Sequence, residues 1–347
     1  MSSTFSASPS WARVDASAAC QLDCPLCPVT TGENNEVVGR GNLRPEDFLG
    51  FLERNPQLRH VELANSGEAV LNKRLPEILS SAHERGVTTY LDTGVNLNYL
   101  SDETAEALVK YGTAVVRVAI DGITRETYAR YRIGGELGRV LTNVQRINEW
   151  KARYRSIWPH LILQFVIFGH NAHEIERARL LARMLRMKCR FKLNWNTEPL
   201  PLDVREHVRG LLGYADRAEY FAIRGKLYCQ EQCAHLWLSP QINWDGKLLG
   251  CARNRSMAYV SNAFGWTMKN LLECEPMRYA RAMVMGEAPP RDDIACSQCA
   301  VYEKMAAMGA WITADYLASV TVGGDGCGSE SLISSYLPVH HTCPTCG

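Results

Sequence analysis

Cys20-Gln21-Leu22-Asp23-Cys24-Pro25-Leu26-Cys27 places three cysteines within eight residues, spaced C-x3-C-x2-C. That spacing lets three thiolates converge on one inorganic centre from a short loop. A structural zinc site closes with four protein ligands, and no fourth ligand stands nearby. Three thiolates hold three irons of a 4Fe–4S cluster and leave the fourth iron open to a substrate or cofactor. The competing reading is a zinc site or a chance grouping. Pro25 and Pro28 fix φ beside Cys24 and Cys27 and stiffen the loop.

Working outward, apolar runs of strand length alternate with helix-length segments. Strands are expected at Trp11 to Ser17, His60 to Asn65, Val87 to Asp92, Ala114 to Ile120, Leu161 to Phe168 and Arg190 to Trp195. Helices are expected at Pro45 to Arg54, Leu75 to Arg85, Asp102 to Tyr111, Val140 to Arg153 and His173 to Met187. Ser101 offers an N-cap. Such alternation means βαβ units on a parallel sheet. Leu161 to Phe168 is almost continuously apolar, as a strand covered on both faces should be. A closed eight-unit barrel needs about 250 residues. Residues 11–196 hold six units, so a partial (β/α)6 barrel is expected, with its chemistry at the C-terminal strand ends.

The C-x3-C-x2-C motif after a first strand resembles that of the radical S-adenosylmethionine (radical SAM) enzymes. The resemblance implies that Cys20, Cys24 and Cys27 bind a 4Fe–4S cluster whose open iron chelates SAM. Ser66-Gly67-Glu68 is similar to the Gly-Gly-Glu element of that family, with Glu68 accepting from the SAM ammonium. Leu26 stands where the family usually has an aromatic residue near the adenine. Asp92 and Thr93, Asp121 and Arg132 complete the implied SAM site, Arg132 as partner of the SAM carboxylate. Ala119 stands where a SAM-contacting Ser is often found.

Beyond a linker the chain becomes cysteine-rich. Cys233, twelve residues, Gly246, four residues and Cys251 precede Cys296-Ser-Gln-Cys299. Gln241 to Leu249 reads as a hairpin turning at Asp245-Gly246. The order resembles a Twitch/SPASM-type domain, which implies an auxiliary 4Fe–4S cluster on these four cysteines; a structural zinc is the alternative. Met305 stands where a full SPASM domain has a further cysteine. The expected division is a barrel over 1–200, a linker over 201–228, an auxiliary-cluster domain over 229–300, and a helix (Val301 to Val320) with a tail over 301–347. Cys327, Cys343 and Cys346 in the tail are open to metal binding.

With 38 basic and 37 acidic side chains, the chain presents no field for nucleic acid or a membrane surface. Its longest apolar stretch is too short to span a bilayer. Thirteen cysteines without a secretory signal point to a reducing, cytoplasmic setting. The resemblance implies a flavodoxin- or ferredoxin-type reductant. Only 19 residues precede Cys20, too few for a peptide-recognition domain, which favours a small molecule. The chain is similar to antibiotic-pathway carbohydrate epimerases and dehydrogenases. Epimerisation of a sugar needs a spare thiol, for which Cys229 is the candidate. The alternatives are oxidation of a sugar or aminocyclitol alcohol, with Lys192 or Arg190 as base, and maturation of a peptide.

Overall fold

The structure, a computed structural model, describes residues 9–32, 37–194 and 200–319. Six strands alternate with helices: β1 (Trp11–Val14), β2 (His60–Glu62), β3 (Thr88–Val95), β4 (Val115–Ala119), β5 (His160–Ile167) and β6 (Lys188–Leu193). Between them lie α1 (Pro28–Thr31) and α2 (Pro45–Arg54), α3 (Leu75–Glu84), α4 (Asp102–Lys110), α5 (Arg125–Tyr131) with α6 (Leu137–Tyr154), and α7 (Ile175–Met184). Every neighbouring pair from β1 to β6 is parallel, and spatial order follows chain order. A sheet that never reverses order sends each right-handed crossover over the same face. The result is the expected partial (β/α)6 barrel.

Helix starts follow local chemistry. Ser101 Oγ accepts from Thr104 N to cap α4, and Thr124 does the same for α5. Pro45 and Pro28 occupy first-turn positions, where no backbone N–H is required. The helix-facing side of the sheet supplies Val14, Val61, Leu91, Val116, Val118 and Leu163 to one apolar core with Phe48 and Phe51 of α2. Each such buried side chain contributes about 1.5–3 kcal/mol.

The opposite face of the sheet is layered, because side chains alternate with period two. Trp11, Tyr90, Val115 and Ile162 form an apolar floor. One step further along the strands are Arg13, Glu62, Asp92, Arg117 and Gln164, all buried. Arg117 donates to Asp92 Oδ1 from Nε at 2.9 Å and from Nη2 at 2.6 Å. Glu62 accepts from the backbone N of Ala64 and Asp92, and Arg13 Nη2 donates to Thr93 Oγ1 at 2.6 Å. β5, almost continuously apolar, thus carries a buried polar residue, Gln164, at its centre.

After β6 the expected linker is a helical pair, α8 (Leu202–Leu212) and α9 (Arg217–Arg224). Asp216 caps α9 by accepting from Ala218 N and Glu219 N. The expected hairpin forms as β7 (Gln241–Ile242) and β8 (Leu248–Gly250), antiparallel to each other. β7 pairs in parallel with β1, so the hairpin extends the barrel sheet. Four short helices follow or flank it: α10 (His235–Leu238), α11 (Met268–Glu273), α12 (Glu275–Val284) and α13 (Ala300–Met308). The helix expected from Val301 breaks at Gly309, which adopts φ 63°, and resumes as α14 (Ala314–Ser319). The expected tail sites Cys327, Cys343 and Cys346 lie outside the described residues, as does Trp195. Among the described residues, no helix is long and apolar enough to cross a membrane.

Candidate active site

The cysteine loop leaves β1 and is held at three points. Glu68 N donates to Ala19 O at 2.8 Å, Asp23 N donates to Ile133 O at 3.0 Å, and Cys27 is the N-terminal flank of α1. Arg40 Nη2 donates to the Cys20 carbonyl at 3.1 Å. Gly67 is required here because a Cβ would lie 2.5 Å from the Ala18 carbonyl carbon and 2.7 Å from Ala19 O. The turn after β2 is therefore pressed against the backbone that introduces the cysteines.

Cys20, Cys24 and Cys27 are free thiols close enough to influence one another. Burial pushes the Cys20 thiol up to about 12, with a further rise from the Glu68 carboxylate. Burial also raises Cys24, while the neighbouring Arg132 guanidinium opposes the rise. Burial raises Glu68 to about 7, opposed by the backbone N–H groups of Asn96, Val70 and Leu97; Oε2 accepts from Asn96 N at 2.6 Å, and among the described residues Oε1 makes no close hydrogen bond. The carboxylate is thus buried next to the Cys20 thiol.

Arg132 lies where the loop needs a cation. Nε donates to Asp121 Oδ2 at 2.7 Å and Nη1 approaches Cys24 Sγ at 3.7 Å. Asp121 also accepts from Val166 N at 2.7 Å, so it anchors Arg132 to β5. Asp92 is committed to Arg117 and Thr93 to Arg13, so both support the floor beneath the loop. Ser66 N donates to Asp15 Oδ1, and Leu26 is 36% exposed at the rim.

Three residues at this site escaped the sequence reading. Asn96 and Asn98, just past β3, bond to Cys20, Gln21 and Tyr128. Asp15 is buried just past β1; desolvation raises it to about 6, opposed by the backbone and side chain of Ser66. The only signal for Asp15 was its place two residues beyond Arg13, on the same face.

The second cysteine group is also brought together. Cys233, Cys251, Cys296 and Cys299 are free, and burial raises Cys233, Cys251 and Cys296, each raised further by cysteine neighbours within the group. Tyr259 hydrogen-bonds to Cys296. Gly246 turns the hairpin at φ 90°, with Asn262 Oδ1 only 2.7 Å from where a Cβ would sit. Among the described residues, no group of three or more His, Cys, Asp or Glu is gathered for a single metal ion. Three and four sulfur donors nevertheless suit iron–sulfur ligation by chemistry. Asn65 Nδ2 links the regions, donating to Ser66 Oγ and to Ala252 O beside Cys251.

Cys229 stands apart from this arrangement. It is 1% exposed and sits at φ 69° within the main core. Cys189 on β6 and Cys274 before α12 are free but pack against the same helix-side core. Lys192 Nζ, on the inner face of β6, donates to Gln164 Oε1 at 3.2 Å.

No family model matches the sequence, and no curated protein matches it. Solved structures do. Streptococcus suis SuiB bound to S-adenosylmethionine aligns at TM-score 0.61 and 14% identity, over 85% of this chain and 71% of that one. The same enzyme bound to precursor peptide SuiA aligns at TM-score 0.58 and 13% identity, over 85% and 70%. AdoMet-bound anSMEcpe aligns at TM-score 0.53 and 15% identity, over 83% and 82%. At such identities the likeness shows the fold, and that fold is the partial barrel of radical SAM enzymes.

Proposed function

We propose that this chain is a radical SAM enzyme with two iron–sulfur clusters. The observation that carries the reading is the buried Glu68 beside the Cys20-Cys24-Cys27 loop. Cys20, Cys24 and Cys27 would hold a 4Fe–4S cluster with one open iron. Glu68 would accept from the SAM ammonium, and Arg132 would lie toward the carboxylate. Ser66, Gly67 and Asp121 shape the same pocket, Leu26 gives an apolar rim, and Asp92 with Thr93 braces it from below. With cluster and SAM bound, the site would supply radical chemistry able to remove hydrogen from an unactivated C–H bond. The protein's task is to hold that carbon and exclude water. Cys233, Cys251, Cys296 and Cys299 would hold an auxiliary 4Fe–4S cluster with no ligand left open. The division into a barrel and an auxiliary-cluster region belongs to this reading.

The reaction favoured is oxidation of an alcohol, with the second electron passing to the auxiliary cluster. Epimerisation needs a thiol at the strand ends. Among the described residues, the spare cysteines Cys189, Cys229 and Cys274 are packed in or against the main core rather than at the strand ends. Asp15 and Lys192, both on the inner face, are groups suited to an alcohol's proton. A second reading, maturation of a peptide, is favoured by the likeness to SuiB bound to SuiA.

The test is anaerobic incubation of the reduced, cluster-loaded enzyme with SAM in D2O, offered aminocyclitols, glycosides or peptides. Oxidation removes two hydrogens from the product. Gain of one deuterium at constant composition would restore epimerisation, and reaction only with peptides would favour the second reading. No 5′-deoxyadenosine under any condition would overturn the radical SAM assignment.

A further inference from the structure

We infer that Asn96 is a positioning residue that sets the reduction potential of the cluster at Cys20, Cys24 and Cys27, by holding an amide N–H against the Cys20 sulfur. The inference rests on the function proposed above. Its basis is the orientation of one side-chain amide. Asn96 Oδ1 accepts from Gln21 Nε2 at 2.7 Å, from Asn98 N at 3.0 Å and from Asn98 Nδ2 at 3.1 Å. With three donors on its oxygen, the amide cannot be flipped. Its nitrogen must face Cys20 Sγ, at 3.8 Å. Asn98 is fixed in turn, since its Oδ1 accepts from Glu136 N at 2.7 Å and its Nδ2 also donates to Tyr128 Oη at 3.0 Å.

The same residue serves a second anion, because Asn96 N donates to Glu68 Oε2 at 2.6 Å. Cys20 and Glu68 are neighbours whose negative charges repel. Asn96 lies between them and gives a donor to each. Reducing a cluster adds negative charge to its sulfurs, and a donor to sulfur stabilises that state and raises the potential. Asn96 is buried, at 3% exposure, so its dipole is not replaced by water.

The test is an anaerobic redox titration of the cluster-loaded enzyme, followed by electron paramagnetic resonance. A Cys20/Cys24/Cys27 triple alanine variant identifies which signal belongs to this loop. Asn96→Asp keeps the size and acceptor oxygen but turns a carboxylate toward the sulfur. It should disfavour reduction of this cluster about tenfold, about 59 mV for one electron. Asn96→Leu, which only removes the donor, should shift it the same way by about threefold. Gln21→Leu, which removes one of the three donors that hold the amide and leaves the two from Asn98, should shift it less. The potential of the second cluster should stay fixed in all three. An unchanged potential in both Asn96 variants, or equal shifts in both clusters, overturns this inference alone. A wild-type loop that binds no cluster overturns the function beneath it.

Discussion

The two cysteine groups in this chain keep different company. Around Cys20, Cys24 and Cys27 stand a buried carboxylate (Glu68), an arginine bridged to Asp121 (Arg132) and an oriented amide (Asn96). Around Cys233, Cys251, Cys296 and Cys299 the strongest influences after burial are mostly the other cysteines. They are packed into the main apolar core, with Tyr259 and Arg253 as polar neighbours. On the proposed reading, three donors with polar surroundings describe a site prepared for a further ligand, and four donors in an apolar wall describe one that is complete. The same distinction separates open catalytic from closed structural metal sites.

The largest effect that would break the comparison is on chemistry. Cys24→Ser should lower 5′-deoxyadenosine formation at least about a thousandfold, because the reaction has no other source of barrier lowering. Iron content should fall by about four per chain, leaving the second cluster's signal intact. If Cys24→Ser and Cys251→Ser behave alike in both assays, the two groups are not functionally distinct.

Cys251→Ser sharpens the comparison from the other side. It should remove the auxiliary signal and lower the melting temperature by several degrees, since a ligand bound only by the native state stabilises it. SAM binding, followed by equilibrium dialysis, should change less than about twofold, because Glu68 and Arg132 are untouched. Next in size is Glu68→Gln. The amide still offers an acceptor to Asn96 N but loses the charge on Oε1. SAM affinity should fall about tenfold, about 1.4 kcal/mol, while both cluster signals persist.

The parts of this arrangement that were legible in the sequence are local in it. Cys20, Cys24 and Cys27 lie on one loop, and the turn at Ser66, Gly67 and Glu68 follows one strand. Strand order followed from helix-length segments between apolar runs, because each βαβ unit closes on its own neighbour. The surroundings of the thiols were not legible. Asn96 reaches Cys20 across 76 positions and Arg132 reaches Cys24 across 108, and only the folded sheet brings these together. Arg117 stands between Val116 and Val118 in an apolar strand, which gave no sign of the charged layer. Its meaning depends on Asp92, 25 residues away on the next strand. Cys229 shows the converse: it was legible in the sequence as a spare thiol, but only the fold shows that it is buried in the main core.

That charged layer gives the smallest and most diagnostic prediction. Burial raises Glu62 from 4.5 to about 8, although Arg13 opposes the shift. A carboxyl raised in the folded state binds more protons than in the unfolded chain between those two values. Its contribution is therefore fully present below about pH 4.5 and is lost as pH rises toward 8. Asp15 and Glu68 act in the same direction through their own rises to about 6 and about 7. The histidines His60, His160 and His170, all lowered, act oppositely, but only below their ordinary 6.5. Between pH 6.5 and 8.5 the raised cysteines also act in the same direction, so the difference between wild type and Glu62→Gln in urea unfolding isolates this carboxyl. Wild type should lose about 1–2 kcal/mol more than Glu62→Gln across that interval. Since Glu62 braces the backbone at Asp92 under the cysteine loop, the same rise in pH should loosen SAM binding in wild type and leave the Cys233 group unaffected. Equal pH slopes in wild type and variant would mean that Glu62 stays ionised throughout, held by Arg13 and the backbone donors at Ala64 and Asp92.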